Sequence, residues 1–252
     1  MEQKTVHFTF GNAKLNNRIA ILSLVAGTAC PGAKDCKSQV VETENGNRIQ
    51  DGEFTEFRCY AASMEIRSTN AYKLHKRNFE TLRNAKGVQG KLEVLLASIK
   101  SQDIDKYCRL VRIHASGDFF VQSYFDAWVE VAKMYPNIIF YAYTKSIKFW
   151  VRRLNDIPQN LKLTASYGGY MDKLIDQYNL KNVKVVYSTE EAEELGLPID
   201  KDDSHAWNFD GNFAQLIHGT QPAGSKASNA LQELRKKGIT GYHRNKKKNK
   251  AA

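Results

Sequence analysis

The feature that most restricts the fold is an alternation of short apolar runs with segments of helical spacing. Ile19 to Val25, Cys108 to Ile113, Asn137 to Tyr143, Leu161 to Ala165, Val183 to Tyr187 and Phe213 to Ile217 each read as a strand. Between them, Leu92, Leu95, Leu96 and Ile99 fall at i, i+3, i+4 and i+7, one helical stripe. Val121, Phe125, Trp128, Val129 and Ala132 form another, and Ser146 to Asn155, the run MDKLIDQY and Ser225 to Lys237 are further helices. Strands and helices alternating in this way are βαβ units with parallel strands. Six strands are too few for a closed eight-stranded barrel. The expected fold is therefore α/β, an open partial (βα)6 TIM-like barrel in preference to a flat doubly wound sheet. In either arrangement functional groups collect at the carboxyl ends of the strands.

A chain of 252 residues suits one domain plus an appendage. Residues 1–234 are assigned to the barrel and 235–252 to a basic tail. The formal charge is +10, and the tail carries eight Lys/Arg with no Asp/Glu, which leaves about +2 for the rest. Such a tail is expected to be disordered and to attract phosphates in a salt-dependent way, so a nucleic acid or nucleotide is an expected partner. No apolar stretch is long enough to span a membrane, and the first residues lack the order of a signal peptide. The expectation is a soluble cytoplasmic protein without a membrane partner. In a reducing compartment its four cysteines are ligands, catalytic thiols or buried residues sooner than disulfides.

Three of them, Cys30, Cys36 and Cys59, belong to one strand-loop-helix unit after the first long strand. The polar insert between Cys36 and Cys59 contains Asn45-Gly46 and Asp51-Gly52, turn signals that predict a two-stranded flap. A helical pattern runs from Cys59 to about Asn84, and the VHFTF run before the first long strand predicts an edge strand. Sulfur donors gathered in this way select soft metals. Three readings stand side by side: a zinc ion completed by His75 or His114, a nucleophilic thiol, or a cubane cluster held at three irons with the fourth open. Cys108, early in an apolar strand, is expected to be a core residue. The strand exits carry His114-Ala115-Ser116-Gly117-Asp118, Thr144-Lys145-Ser146, Ser166-Tyr167-Gly168-Gly169 and His218-Gly219-Thr220-Gln221, small polar groups suited to a ligand or simply to turns.

The order of strand, cysteine loop, helix and a second strand ending in Ser116-Gly117-Asp118 resembles the partial barrel of radical S-adenosylmethionine enzymes. More closely, the blocks CPGAKDC, FRCYAASMEIR, RIHASGDF, YAYTKS, LTASYGG and IHGTQPAGS resemble the phage-encoded gene product 88 family, from about residue 19 to 226. The resemblance implies a bacteriophage source, the cytoplasm of an infected host cell and a 4Fe-4S cluster on Cys30, Cys36 and Cys59. It further implies that Ser116, Gly117 and Asp118 meet the amino group of S-adenosylmethionine, with Thr144, Lys145 and Ser166 near the rest of it. An enzyme of that kind needs an electron donor. The cysteine spacing departs from the compact superfamily motif, with five and then 22 intervening residues; Arg58 stands where an aromatic is usual and Asp118 where a glutamate is. Two other classes remain: a metal-containing protein that binds nucleic acid through the tail and KLHKRNFETLR without turnover, and a structural or virion-associated protein stapled by the cluster.

Overall fold

The computed structural model describes residues 4–12 and 15–239. In chain order the elements are β1 (Thr9–Phe10), β2 (Ile19–Leu22), β3 (Ser38–Thr43), β4 (Gly46–Asp51), α1 (Tyr60–Arg67), α2 (Thr69–Asn84), α3 (Gly87–Ser101), α4 (Ile104–Tyr107), β5 (Leu110–Ile113) and α5 (Gln122–Met134). They continue with β6 (Ile139–Thr144), α6 (Ile147–Val151), β7 (Leu161–Ser166), α7 (Lys173–Gln177), β8 (Asn182–Val186), α8 (Thr189–Glu194), α9 (Ser204–Asn208), β9 (Phe213–Leu216) and α10 (Lys226–Lys236). The six expected strands, β2 and β5 to β9, pair in parallel and in sequence order, and β1 is antiparallel on the β2 edge. The fold is mixed α/β with a mostly parallel central sheet. No closed barrel forms: among the described residues β9 pairs with β8, and beyond it lies only an isolated bridge between Ile199 and Ala214.

Successive side chains of a strand point to opposite faces, which separates two layers. Val111, Ile113, Phe140, Ala142, Leu161 and Leu163 face the helices and join Leu95, Ile99, Phe125 and Trp128 in the main core. Trp128, Tyr124 and Phe125 are almost wholly buried, so α5 anchors that layer; each such side chain stabilises by roughly 1.5–3 kcal/mol relative to exposure. At the far end of the sheet, Val186, Ala214 and Leu216 pack with Ala192 of α8 and with Ala227 and Leu234 of α10. The opposite face is covered differently. Leu110, Tyr141, Val183 and Phe213, near the starts and middles of their strands, pack against Ala206 and Trp207 of the short α9. Only the carboxyl-end half of that face is left to line a cavity.

Several local expectations are corrected. The pattern from Cys59 to Asn84 is two helices broken at Ser68, whose extended backbone lets its hydroxyl accept from Ala71 N at 3.3 Å and cap α2. Helix α3 begins at Gly87, three residues before Gly90. Val121 is not on the buried face of α5; it is the residue before the helix and is exposed. The first long strand stops at Leu22, because Leu24 N turns to donate to Ser116 O. The acidic segment 190–203 forms α8 and leads into α9. Helix α10 runs to Lys236, across the boundary set at residue 234, and the tail from residue 240 lies outside the described residues. No described helix is long and apolar enough to cross a membrane.

Candidate functional site

The widely spaced cysteines are brought together by the insert between them. Strands β3 and β4 pair from Ser38–Asp51 to Thr43–Gly46, turning at Asn45-Gly46 as the sequence predicts. A hairpin returns the chain to its starting point, so the 22 intervening residues span almost no distance. Gly52 N donates to Lys37 O at 2.6 Å, Cys59 N to Ser38 Oγ at 3.3 Å, and Arg58 is ion-paired with Asp51 at 2.5 Å. Arg58 thus ties the third cysteine to the hairpin. Lys37 Nζ bridges the carbonyls of Gly27 and Cys30, both at 2.8 Å, and closes the loop around the first.

The loop is also pinned to the far side of the cavity. Lys34 N and Asp35 N donate to Gly168 O, Tyr170 N donates to Gly32 O, and Ala33 bridges Gly169. A Cβ on Gly32 would lie 2.2 Å from the Lys145 carbonyl oxygen, so only glycine fits that approach. Gly32→Ala is expected to destabilise the protein by roughly 1–3 kcal/mol in urea unfolding. Gly90→Ala, inside α3 with ordinary contacts around the new methyl, should instead stabilise by roughly 0.5–1 kcal/mol.

All three thiols line one cavity of about 940 Å³, its open mouth included. They are partly accessible, yet deep enough that loss of water pushes the Cys30 thiol well above its ordinary range, with Asp118, Cys59 and Cys36 adding to it. Cys59 is pushed up to about 12, first by burial and then by Cys36, while the Ala61 and Ala62 amides at the start of α1 work the other way. Burial also raises Cys36, against the pull of Lys145. Three mutually repelling sulfurs are comfortable as neutral thiols or as ligands to cationic metal.

Among the described residues no three His, Cys, Asp or Glu side chains converge to hold a single metal ion. A lone zinc would draw its thiolates to about 2.3 Å from a common centre. Each histidine offered for such a site has one ring nitrogen engaged: His75 Nδ1 is 2.8 Å from Glu65, and His114, which lines the cavity, packs on Phe119 with Nε2 3.1 Å from the Tyr124 hydroxyl and Nδ1 buried without a partner. A cubane takes its three thiolates at three different irons and asks for a wider triangle than one ion does. Cysteine sulfur is the donor that such a cluster takes, and all three thiols line the cavity.

The other six residues singled out from the sequence, Ser116, Gly117, Asp118, Thr144, Lys145 and Ser166, line the same cavity. Their polar side chains are engaged within the chain. Asp118 accepts from Thr144 Oγ1 at 2.6 Å, Phe119 N at 2.7 Å, Lys145 N at 2.9 Å and Ser146 Oγ at 3.3 Å. Burial raises its pKa and these bonds oppose the rise. Lys145 Nζ donates to Ser166 Oγ at 2.7 Å and to the Tyr167 carbonyl, and Ser116 Oγ donates to Glu65 at 3.0 Å. Gly117, at φ +84°, packs so close to Leu24 that a Cβ would meet it at 2.6 Å. These residues lock adjacent strand exits together.

Two buried groups were not anticipated. Glu65, fully buried, accepts from Ala26 N at 3.1 and 3.2 Å, from Ser116 Oγ, and pairs with His75. It links the entry of the cysteine loop, the helix after Cys59 and the β5 exit. Deeper in the cavity, Arg112 is ion-paired with Asp203 at 2.6 Å. Burial works against the Arg112 charge, but Asp203 and the surrounding phenols hold it. Tyr143 donates to Asp203 at 3.2 Å or Asp200 at 3.3 Å, and burial with these two acids keeps it protonated. The one signal of this floor in the sequence is the charge of Arg112 within the apolar run LVRI.

A family profile described as Gene product 88 matches residues 4–237. Curated relatives include the Gene 88 protein of Mycobacterium phage D29, 35% identical over 92 residues, and that of Mycobacterium phage L5, 36% identical over 92 residues. Each match covers 34% of this chain and 38% of the relative, so the aligned stretch spans well under half the length of those proteins. No solved structure matches. With nearly all of its described length inside the profile, the chain belongs to the Gene product 88 family.

Proposed function

We propose that this is an iron-sulfur protein in which Cys30, Cys36 and Cys59 hold a four-iron four-sulfur cluster at the mouth of the cavity, as a radical S-adenosylmethionine-like enzyme or a degenerate relative of one. The observation that carries the reading is the convergence of three thiols, separated by five and then 22 intervening residues, on a single cavity at the carboxyl ends of the strands. The sequential parallel order of the strands supports a partial (βα)6 barrel around that cavity. Such a cluster supplies single electrons, and its fourth iron, lacking a cysteine, is open to a ligand from the cavity. An electron donor and the host cytoplasm follow from the same reading.

The degenerate form is favoured by one observation. The four acceptances of Asp118 and the Ser116 hydroxyl are used inside the chain, so a cofactor amino group would have to displace existing bonds. Electron paramagnetic resonance of the dithionite-reduced, anaerobically purified protein separates the forms. Serine at position 30, 36 or 59 should abolish the cluster signal, and Cys108→Ser, in the core, should keep it. A shift on adding S-adenosylmethionine supports the enzyme; an unshifted signal leaves a cluster protein without that cofactor. A signal that survives all three cavity substitutions refutes the ligand set.

A further inference from the structure

The inner end of the cavity, below the thiols, is built from Arg112, Tyr143, Val185, Gln215 and Ile217. Its charges are already matched. Arg112 is paired with Asp203, whose side chain is fully buried, and at the rim Arg58 is paired with Asp51. Lys145 is spent on Ser166 and a carbonyl. The phenols are held neutral by burial, Tyr60 being pushed up to about 12. A charged ligand would find no free counter-charge and would lose its hydration on entry.

Hydrogen-bonding capacity nevertheless remains. Gln215 Nε2 donates to the Tyr143 hydroxyl at 3.2 Å, and that hydroxyl donates onward to the acids beneath it. This relay fixes which way the amide points and leaves Oε1 and the second Nε2 hydrogen for a ligand edge; no other partner of the amide occurs among the described residues. Arg112 lies with its guanidinium 5.5 Å from the Tyr143 ring centre, and its Nε is buried without an acceptor. Val185 and Ile217 supply apolar walls beside these groups.

We propose that this floor binds the ring of an uncharged nucleobase, as a nucleoside with its sugar towards the thiols. A flat heterocycle has apolar faces to set against Val185 and Ile217 and a donor-acceptor edge for the Gln215 amide. A sugar alone would set hydroxyls against Val185 and Ile217. The inference rests on the cavity being a substrate site, and does not require the cluster.

Calorimetric titration of the full chain with adenosine, guanosine, cytidine and uridine tests it. At least one nucleoside should saturate the wild type. Gln215→Met, close in volume but without the amide, should weaken that binding at least 10-fold, and Val185→Phe, which fills the floor beside Gln215, its cross-strand partner, should abolish it. The triple variant with alanine at 30, 36 and 59 should still bind, which separates this proposal from the iron-sulfur reading. Binding of none of the four by the wild type, undiminished affinity in both floor variants, or loss of binding in the thiol-free variant would overturn it.

Discussion

Glu65→Ala is expected to destabilise the protein by roughly 3–5 kcal/mol, because it leaves several buried donors unsatisfied at roughly 1–3 kcal/mol each. The carboxylate is fully buried and serves three donors at once: the Ala26 amide, the Ser116 hydroxyl and His75 Nδ1, at distances from 2.8 to 3.2 Å. Alanine leaves all three without an acceptor in a region water does not reach. Glu65→Gln keeps the shape but offers one acceptor oxygen in place of two, so it should fall between alanine and wild type. Urea unfolding measures this directly, with the midpoint moving and the slope unchanged. Because Glu65 connects the start of the cysteine loop to the helix after Cys59, the same variant should also lose iron. A loss below about 1 kcal/mol would mean that these contacts are incidental.

Asp203→Ala should cost a similar amount, roughly 3–5 kcal/mol, because it strands the Arg112 guanidinium in the interior. The tyrosines beside the pair cannot substitute, since Tyr141 and Tyr143 are held protonated and carry no charge. The double variant Asp203→Ala/Arg112→Met should recover much of the loss, as removing a buried pair together is often close to neutral. A double-mutant cycle therefore predicts a large coupling energy, beyond the few tenths of a kcal/mol of independent sites. Simple additivity would count against a buried pair.

The strand framework was legible because each parallel strand is buried on both faces and reads as an apolar run; β5 to β9 begin within two residues of the sequence expectation. The hairpin was legible from Asn45-Gly46, a turn chemistry with few alternatives. What failed to read were the groups whose meaning lies in distant partners. Asp200 and Asp203 sit in a segment that looks like an acidic surface linker, and only the fold carries them under Arg112. Glu65 reads as an ordinary polar position on a helix, yet it is 1% exposed. The break at Ser68 was hidden because apolar residues continue on both sides of a capping serine. The cysteines, Ser116, Asp118, Thr144, Lys145 and Ser166, singled out through the resemblance, line one cavity, although the hydrogen bonds that Asp118 and its neighbours make to one another were not foreseeable from one dimension.

The most direct test of the iron-sulfur assignment is iron and acid-labile sulfide analysis of the anaerobically purified chain, alongside the variant with alanine at 30, 36 and 59. A four-iron cluster predicts about four of each per chain in the wild type and neither in the variant. Zinc in place of iron, or iron that persists without the three cysteines, would contradict it.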